Sequence, residues 1–154
     1  VINILWVRRG EMKVITLYDN IYKLIANNKN ILYYLGMGSD PSNLEKAKKI
    51  QRRAKPQNLI DNVPLIAFYA PPGGLDKGND EVYVAPFVFN IFTFDDVDTA
   101  HRIAEELTKA IDKKLLPFCG VDTLESRLIT AHESSVKEEN IYCFTVVFEF
   151  SILL

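Results

Sequence analysis

The chain has 154 residues, 48% hydrophobic and 25% charged, with a net charge of −2. This balance excludes a disordered chain, and no apolar run approaches the ~18 residues of a membrane helix, so one globular domain over 1–154 with a single core is expected. Cys119 and Cys143 stand alone, with no C-x-x-C pair and no histidine at ligand spacing, and read as free thiols of a reducing compartment.

The first residues leave two readings open. Arg8, Arg9, Gly10 and Glu11 precede Met12, and purine-rich codons for those four would resemble a ribosome-binding site, making 1–11 an untranslated-region artefact. Alternatively, 1–7 form a genuine strand or arm. Thr16, followed three residues later by Asp19, resembles a capping box, and Leu17, Ile21, Leu24 and Ile25 have helical spacing, so a first helix is expected to end near Asn28. Residues 31–35 are too short to classify.

Residues 36–58 read as a linker plus a basic amphipathic helix. Ser42 and Glu45 form a second capping box, and Pro56 forbids extension beyond Lys55. Leu44, Ala47, Ile50 and Ala54 share one arc of this helix, opposite Lys46, Lys48, Lys49, Arg52, Arg53 and Lys55. From 44 to 58 six basic residues and one acid give +5, which leaves −7 for the remainder.

Residues 64–70 and 81–94 read as two strands of an antiparallel hairpin. Between them, 71–78 (Pro-Pro-Gly-Gly-Leu-Asp-Lys-Gly) lacks the spacing of a phosphate-binding loop: its lysine precedes its glycine, and a strand follows rather than a helix. It reads as a turn. The second strand is apolar on both alternating sets, Val82, Val84, Val88, Phe92 and Phe94 against Tyr83, Ala85, Phe87, Phe89 and Ile91, so both faces are buried or one serves an oligomer. Pro86, which has no N–H, argues for an edge or a bulge.

Asp95, Asp96 and Asp98 open a helix that Lys113 and Lys114 close, with Val97, Ala100, Ile103, Ala104, Leu107, Ala110 and Ile111 at i, i+3, i+4, i+7 spacing. Residues 126–131 read as a short strand. Over 140–152 a long strand alternates: Tyr142, Phe144, Val146, Phe148, Phe150 and Ile152 face one way, while Cys143, Thr145, Glu149 and Ser151 face the other. The expected fold is α+β, a single mixed or antiparallel sheet of four to five strands with helices mainly on one face.

Chemistry is sparse. His101 and His132 are the only histidines, His132 lacks the i+4 partner of a zinc helix, and no G-x-S-x-G elbow or Cys–His arrangement occurs. The residues therefore imply no catalytic site, cofactor or metal. Three readings compete for the basic helix: a solvated face, an acidic partner surface, and nucleic acid, the last weakened by the absence of interleaved aromatics. Asp76, Asp80, Glu81, Asp95, Asp96 and Asp98 are expected to form an acidic counterpart, suited to head-to-tail ring closure.

The order of elements, carried by 64–69 (Pro-Leu-Ile-Ala-Phe-Tyr), 83–94 running into 98–107, and 142–150, resembles the tail terminator (tail completion) family of long-tailed bacteriophages. The resemblance covers roughly 60–154, and the basic helix departs from it. It implies a non-enzymatic virion protein, made in the host bacterial cytoplasm, that forms a homo-hexameric ring at the head-proximal end of the tail. There it would cap the tail tube and dock to a head-completion or neck protein, with DNA passing transiently through the ring and no membrane involved. A related neck or head-completion protein and a small α+β ligand-binding or regulatory domain are the alternatives. Residues expected at partner or subunit interfaces are Lys48, Lys49, Arg52, Arg53, Gly73, Gly74, Asp76, Lys77, Asp80 and Glu149.

Overall fold

The computed structural model describes residues 2–154; the reading of Val1 as a start lies outside the described residues. The elements in order are α1 (Ile2–Ala26), α2 (Lys29–Tyr34), α3 (Asn43–Lys49), β1 (Ile50–Gln51), α4 (Leu59–Asn62), β2 (Leu65–Tyr69), β3 (Gly74–Leu75), β4 (Val82–Phe94), α5 (Val97–Ile111), β5 (Arg127–Ser134) and β6 (Ile141–Leu153). The fold is α+β. One mixed sheet of six strands runs in the order β1-β2-β4-β6-β5, with β3 also paired to β4.

The first helix is far longer than its capping signals imply. Thr16 lies inside α1, where its carbonyl accepts a hydrogen bond from Asn20 at 2.9 Å, so it caps nothing. Asp19 instead pairs with Arg52. The apolar spacing continues upstream through Val14, Gly10 and Val7, which gives α1 one buried stripe along its length. Gly10 is required where the helix crosses β4: a Cβ there would lie 2.2 Å from the Tyr83 ring. Residues 31–34, unclassified from sequence, belong to α2, capped by the Asn28 side chain on the N–H groups of Asn30 and Ile31.

The basic helix is shorter than expected. Ser42 caps it through the Glu45 N–H at 3.2 Å, but the helix ends at Lys49 because Ile50 turns extended and pairs with Ile66 of β2. Burying Ile50 in a parallel bridge outweighs the helical arc. Leu44 is 68% exposed, and of the four apolar residues assigned to that arc Ile50 alone is buried.

The glycine-rich segment is mostly hairpin rather than loop. β2 pairs with β4 as far as Tyr69 with Val88, and β3 resumes at Gly74 with Val84, so four residues on one side stand against three on the other. That is a one-residue bulge made by Ala70, Pro71, Pro72 and Gly73. Pro86 falls opposite this segment in a central strand, in register with Glu149 of β6, so β4 is not an edge at Pro86 and the extra residue lies in the facing segment rather than in β4. The true turn spans Asp76 to Val82, closed by the Asp76 N–H on the Val82 carbonyl at 2.8 Å.

α5 begins as its sequence requires. The Asp96 carboxylate accepts from the Thr99 N–H at 3.0 Å and the Thr99 hydroxyl at 2.6 Å, which holds its pKa below the usual aspartate value. Ala100, Ile103, Ala104, Leu107 and Ile111 are buried against the sheet. Together with α1 and α2 they cover the face carrying Tyr83, Ala85, Phe87, Phe89 and Ile91 of β4 and Val146, Phe148, Phe150 and Ile152 of β6. Phe87 meets Phe150 edge-on at 5.4 Å and Phe89 meets Phe148 at 5.6 Å. Each buried ring contributes about 1.5 to 3 kcal/mol, so this layer is the main source of stability.

Candidate functional site

The second face of the sheet is only partly covered. At one end Leu59 of α4 and the adjoining Val63, with Val136 and Ile141, pack on Leu65, Ala67, Phe92 and Cys143. Burial raises the Cys143 thiol to about 11, so it stays protonated and unreactive. Beyond this lid the face opens into a cleft of about 750 Å³ between the 54–56 segment and the 134–138 turn. Its floor is a polar row: Asn90 accepts from the Thr145 hydroxyl at 2.7 Å, and Thr145 is linked in turn to Ser134. His132 is the cross-strand neighbour of Thr145 in the same row. The doubly apolar β4 therefore has one saturated face and one half-buried face. Nothing in the cleft pairs a nucleophile with a base, and among the described residues no group of three or more His, Cys, Asp or Glu could hold a metal ion. His101 is exposed on α5, its Nε2 3.1 Å from the Tyr142 hydroxyl.

The expected interface residues fall into three places. Lys48, Arg52 and Arg53 are exposed on or just after α3 and β1. Lys49 differs: its ammonium donates to the carbonyls of Asn62 at 3.0 Å and Pro64 at 3.2 Å, and burial lowers its pKa, so it ties α3 to the entry of β2 rather than facing outward. Arg52 is anchored by Asp19 and lies 5.2 Å over the Tyr22 ring. Asp76, Lys77 and Asp80 stand on the exposed hairpin tip, with the Asp76 carboxylate accepting from the Gly78 N–H at 3.0 Å. Gly73 and Gly74 lie below the tip; a Cβ on Gly73 would strike the Val84 carbonyl at 2.2 Å, whereas Gly74 faces open space. Glu149 stands apart on the half-open face, 3.4 Å from Arg127 and opposite Pro86.

The six acids do not form one surface. Asp76, Asp80 and Glu81 precede the 13 residues of β4, and Asp95, Asp96 and Asp98 follow them, so the two groups lie roughly 40 Å apart at opposite ends of the strand. The basic segment lies near the second group: Ile50 is in register with Ile66, which is in register with Ile91. About 30 Å of strand separates that row from the tip.

Two surfaces were not legible from sequence. β5 is exposed along almost its whole length, with α5 covering β4 and β6 but not the outer strand. On α1, Ile4, Leu5, Met12 and Ile15 are 61%, 61%, 70% and 67% exposed on the side away from the core. No helix is long and apolar enough to cross a membrane among the described residues.

What this architecture defines is a small α+β protein whose conspicuous features are surfaces rather than a reaction centre. No family model matches the sequence, and neither does any curated protein. Among solved structures the fold is similar to that of a chain from the virion of a native gene transfer agent (GTA) particle, at 15% identity and a TM-score of 0.64, covering 90% of this chain and 95% of that one. At that identity the likeness is one of fold.

Proposed function

We propose that the protein is a structural component of a phage-like virion, and within that class a tail terminator: a homo-hexameric ring that caps the tail tube and docks it to a head-completion or neck protein. The observation that carries this reading is the likeness to a virion chain over nearly the full length of both proteins. The helix–strand order that resembles the tail terminator family supports the finer assignment. So does the separation of an acidic, projecting tip from a basic lateral segment, since a ring needs different surfaces for axial and lateral neighbours.

In this reading the tip bearing Asp76, Lys77 and Asp80, stiffened by β3 and the Gly73 bulge, meets the tube or neck protein. Lys48, Arg52, Arg53 and Glu149 lie where neighbouring subunits or partners pack, and Lys49 supports them from beneath. The role is mechanical, without a catalytic step, and DNA passes through the finished ring.

The test is sedimentation of the purified protein followed by electron microscopy, alone and with tail tubes. Six-fold rings that cap tube ends are expected. Rings that bind filled heads but ignore tubes would replace the terminator by a neck or head-completion protein. A monomer at all concentrations, with or without tubes, would overturn the ring.

A further inference from the structure

We infer that α1 of each subunit docks on the half-open sheet face of its neighbour, with Ile4, Leu5, Met12 and Ile15 covering the part of β4 and β6 that no helix of the same chain covers. The inference rests on the ring reading and supplies its lateral contact.

α1 carries two apolar stripes. Val7, Gly10, Val14, Leu17 and Ile21 line the side turned to the core. Ile4, Met12 and Ile15 recur at i, i+8 and i+11, with Leu5 seven residues before Met12, so these four share an arc on the opposite side and all are exposed. A helix on the surface of a single domain needs only the first stripe. The second presents on the order of 500 Å² of apolar side chain, a size at which a patch on a monomer is often functional. With the apolar stems of Arg8 and Arg9 beside it, the patch approaches the roughly 800 Å² a side of a standard interface.

The sheet face opposite the helices has the complementary character. Val84, Pro86 and Val88 of β4, Val147 of β6 and Tyr69 of β2 are only half-buried there, because α1, α2 and α5 all pack on the other face. Tyr69, Val88 and Val147 also line the cleft of about 750 Å³, so this apolar ground has room above it for inserted side chains.

Placement and charge favour a second copy as the occupant. The outer stripe of α1 looks away from the helix layer and the open face looks away from the sheet, so the two surfaces lie on opposite sides of one molecule. Copies set in line satisfy both at once: every sheet gains a helix on its second face, and the contact repeats head to tail as a ring requires. Pairing α1 with α1 across a two-fold axis would leave each sheet face bare. Arg8 lies within the outer stripe and has no ion-pair partner among the described residues, whereas Glu149 stands on the open face with a contact to Arg127 at 3.4 Å. A guanidinium carried onto that face meets a carboxylate.

The experiment uses the full chain with Cys119→Ser to remove the exposed thiol; Cys143 is buried. Met12→Cys and Val88→Cys in one chain, treated with a bis-maleimide of roughly 10 Å reach, the spacing of packed layers, should give a ladder of covalent oligomers up to the complete ring. The two positions lie on opposite sides of their own chain, so each link joins two copies. Either cysteine alone should stay monomeric, and a mixture of the two single variants should give dimers and nothing larger. Leu5→Gln with Met12→Gln should leave the denaturation midpoint nearly unchanged and raise the concentration for half-assembly tenfold or more. Full-size rings without a ladder, or rings indifferent to the glutamines, would overturn the docking of α1 and leave the ring standing. Dimers from Met12→Cys alone would show α1 meeting α1 and overturn it equally. A chain that never assembles would overturn both.

Discussion

The two faces of β4 are built from nearly equally apolar residues and meet different fates. Tyr83, Ala85, Phe87, Phe89 and Ile91 are sealed beneath α1, α2 and α5, whereas Val84, Pro86, Val88 and Asn90 on the other side are only half-buried. The difference lies in what the neighbouring strands offer. On the sealed side β6 contributes Phe148, Phe150 and Ile152; on the other it contributes Thr145, Glu149 and Ser151, and β5 adds His132 and Thr130. Hydrophobicity of a single strand therefore does not say which side is core; the cross-strand rows do.

The largest effect that tests this contrast is at Phe148, fully buried and packed edge-on against Phe89. Phe148→Ala should destabilise the chain by about 3 to 5 kcal/mol, while Val147→Ala on the half-open face should cost less than about 1.5 kcal/mol. Urea denaturation of both variants measures the gap. Equal losses would mean that the second face is as closely packed as the first.

A second pair of substitutions sharpens the contrast within the hairpin. Gly73→Ala should cost about 1 to 3 kcal/mol, because its Cβ would collide with the Val84 carbonyl, a backbone atom that can yield only by breaking the β3–β4 ladder. Gly74→Ala, next in sequence, meets no atom within 4 Å and should cost less than about 0.5 kcal/mol. Thermal unfolding, with amide exchange at Val84, separates them. Similar behaviour of the two would remove the bulge as the reason for glycine at 73.

Much of the helix layer was readable because its signals are local. The Asp96 cap, the spacing from Ala100 to Ile111 and the alternation of β6 depend on residues a few positions apart. The failures were non-local. Thr16 with Asp19 has the form of a cap, but the buried contacts of Val7, Gly10 and Val14 upstream draw the chain into one long helix. Ile50 has helical spacing with Leu44 and Ala47, yet a parallel bridge to Ile66 claims it. The six acids look contiguous in sequence across β4, and only the extended length of a 13-residue strand separates them. The exposed outer edge of β5 carried no local signal at all, because an edge strand is defined by what does not pair with it.

The cap of α5 gives a pH-dependent prediction on the sealed side. Asp96→Ala should cost about 0.5 to 2 kcal/mol near neutral pH by leaving the Thr99 N–H without its acceptor. The folded pKa of Asp96 lies below its unfolded value, so its contribution is present above about pH 4 and is lost as pH falls through the folded pKa. Wild type and Asp96→Ala should therefore converge in stability on acidification. A constant difference down to pH 2 would show that the carboxylate charge does not contribute to the cap.

The smallest effect on folding, and the one that bears most directly on assembly, is expected at Glu149. Its contact with Arg127 at 3.4 Å is a surface ion pair flanking the open face, and pairs of that kind contribute about 0 to 1 kcal/mol. Glu149→Ala should thus leave the denaturation midpoint nearly unchanged while shifting assembly, because the half-open face that carries this carboxylate is proposed to pack against neighbouring subunits or partners. Denaturation and sedimentation of the one variant measure the two quantities separately. If the chain loses as much stability as with Phe148→Ala, the half-open face is load-sharing core and no subunit surface; if neither quantity moves, Glu149 is solvated surface and the lateral contact lies wholly beyond β6.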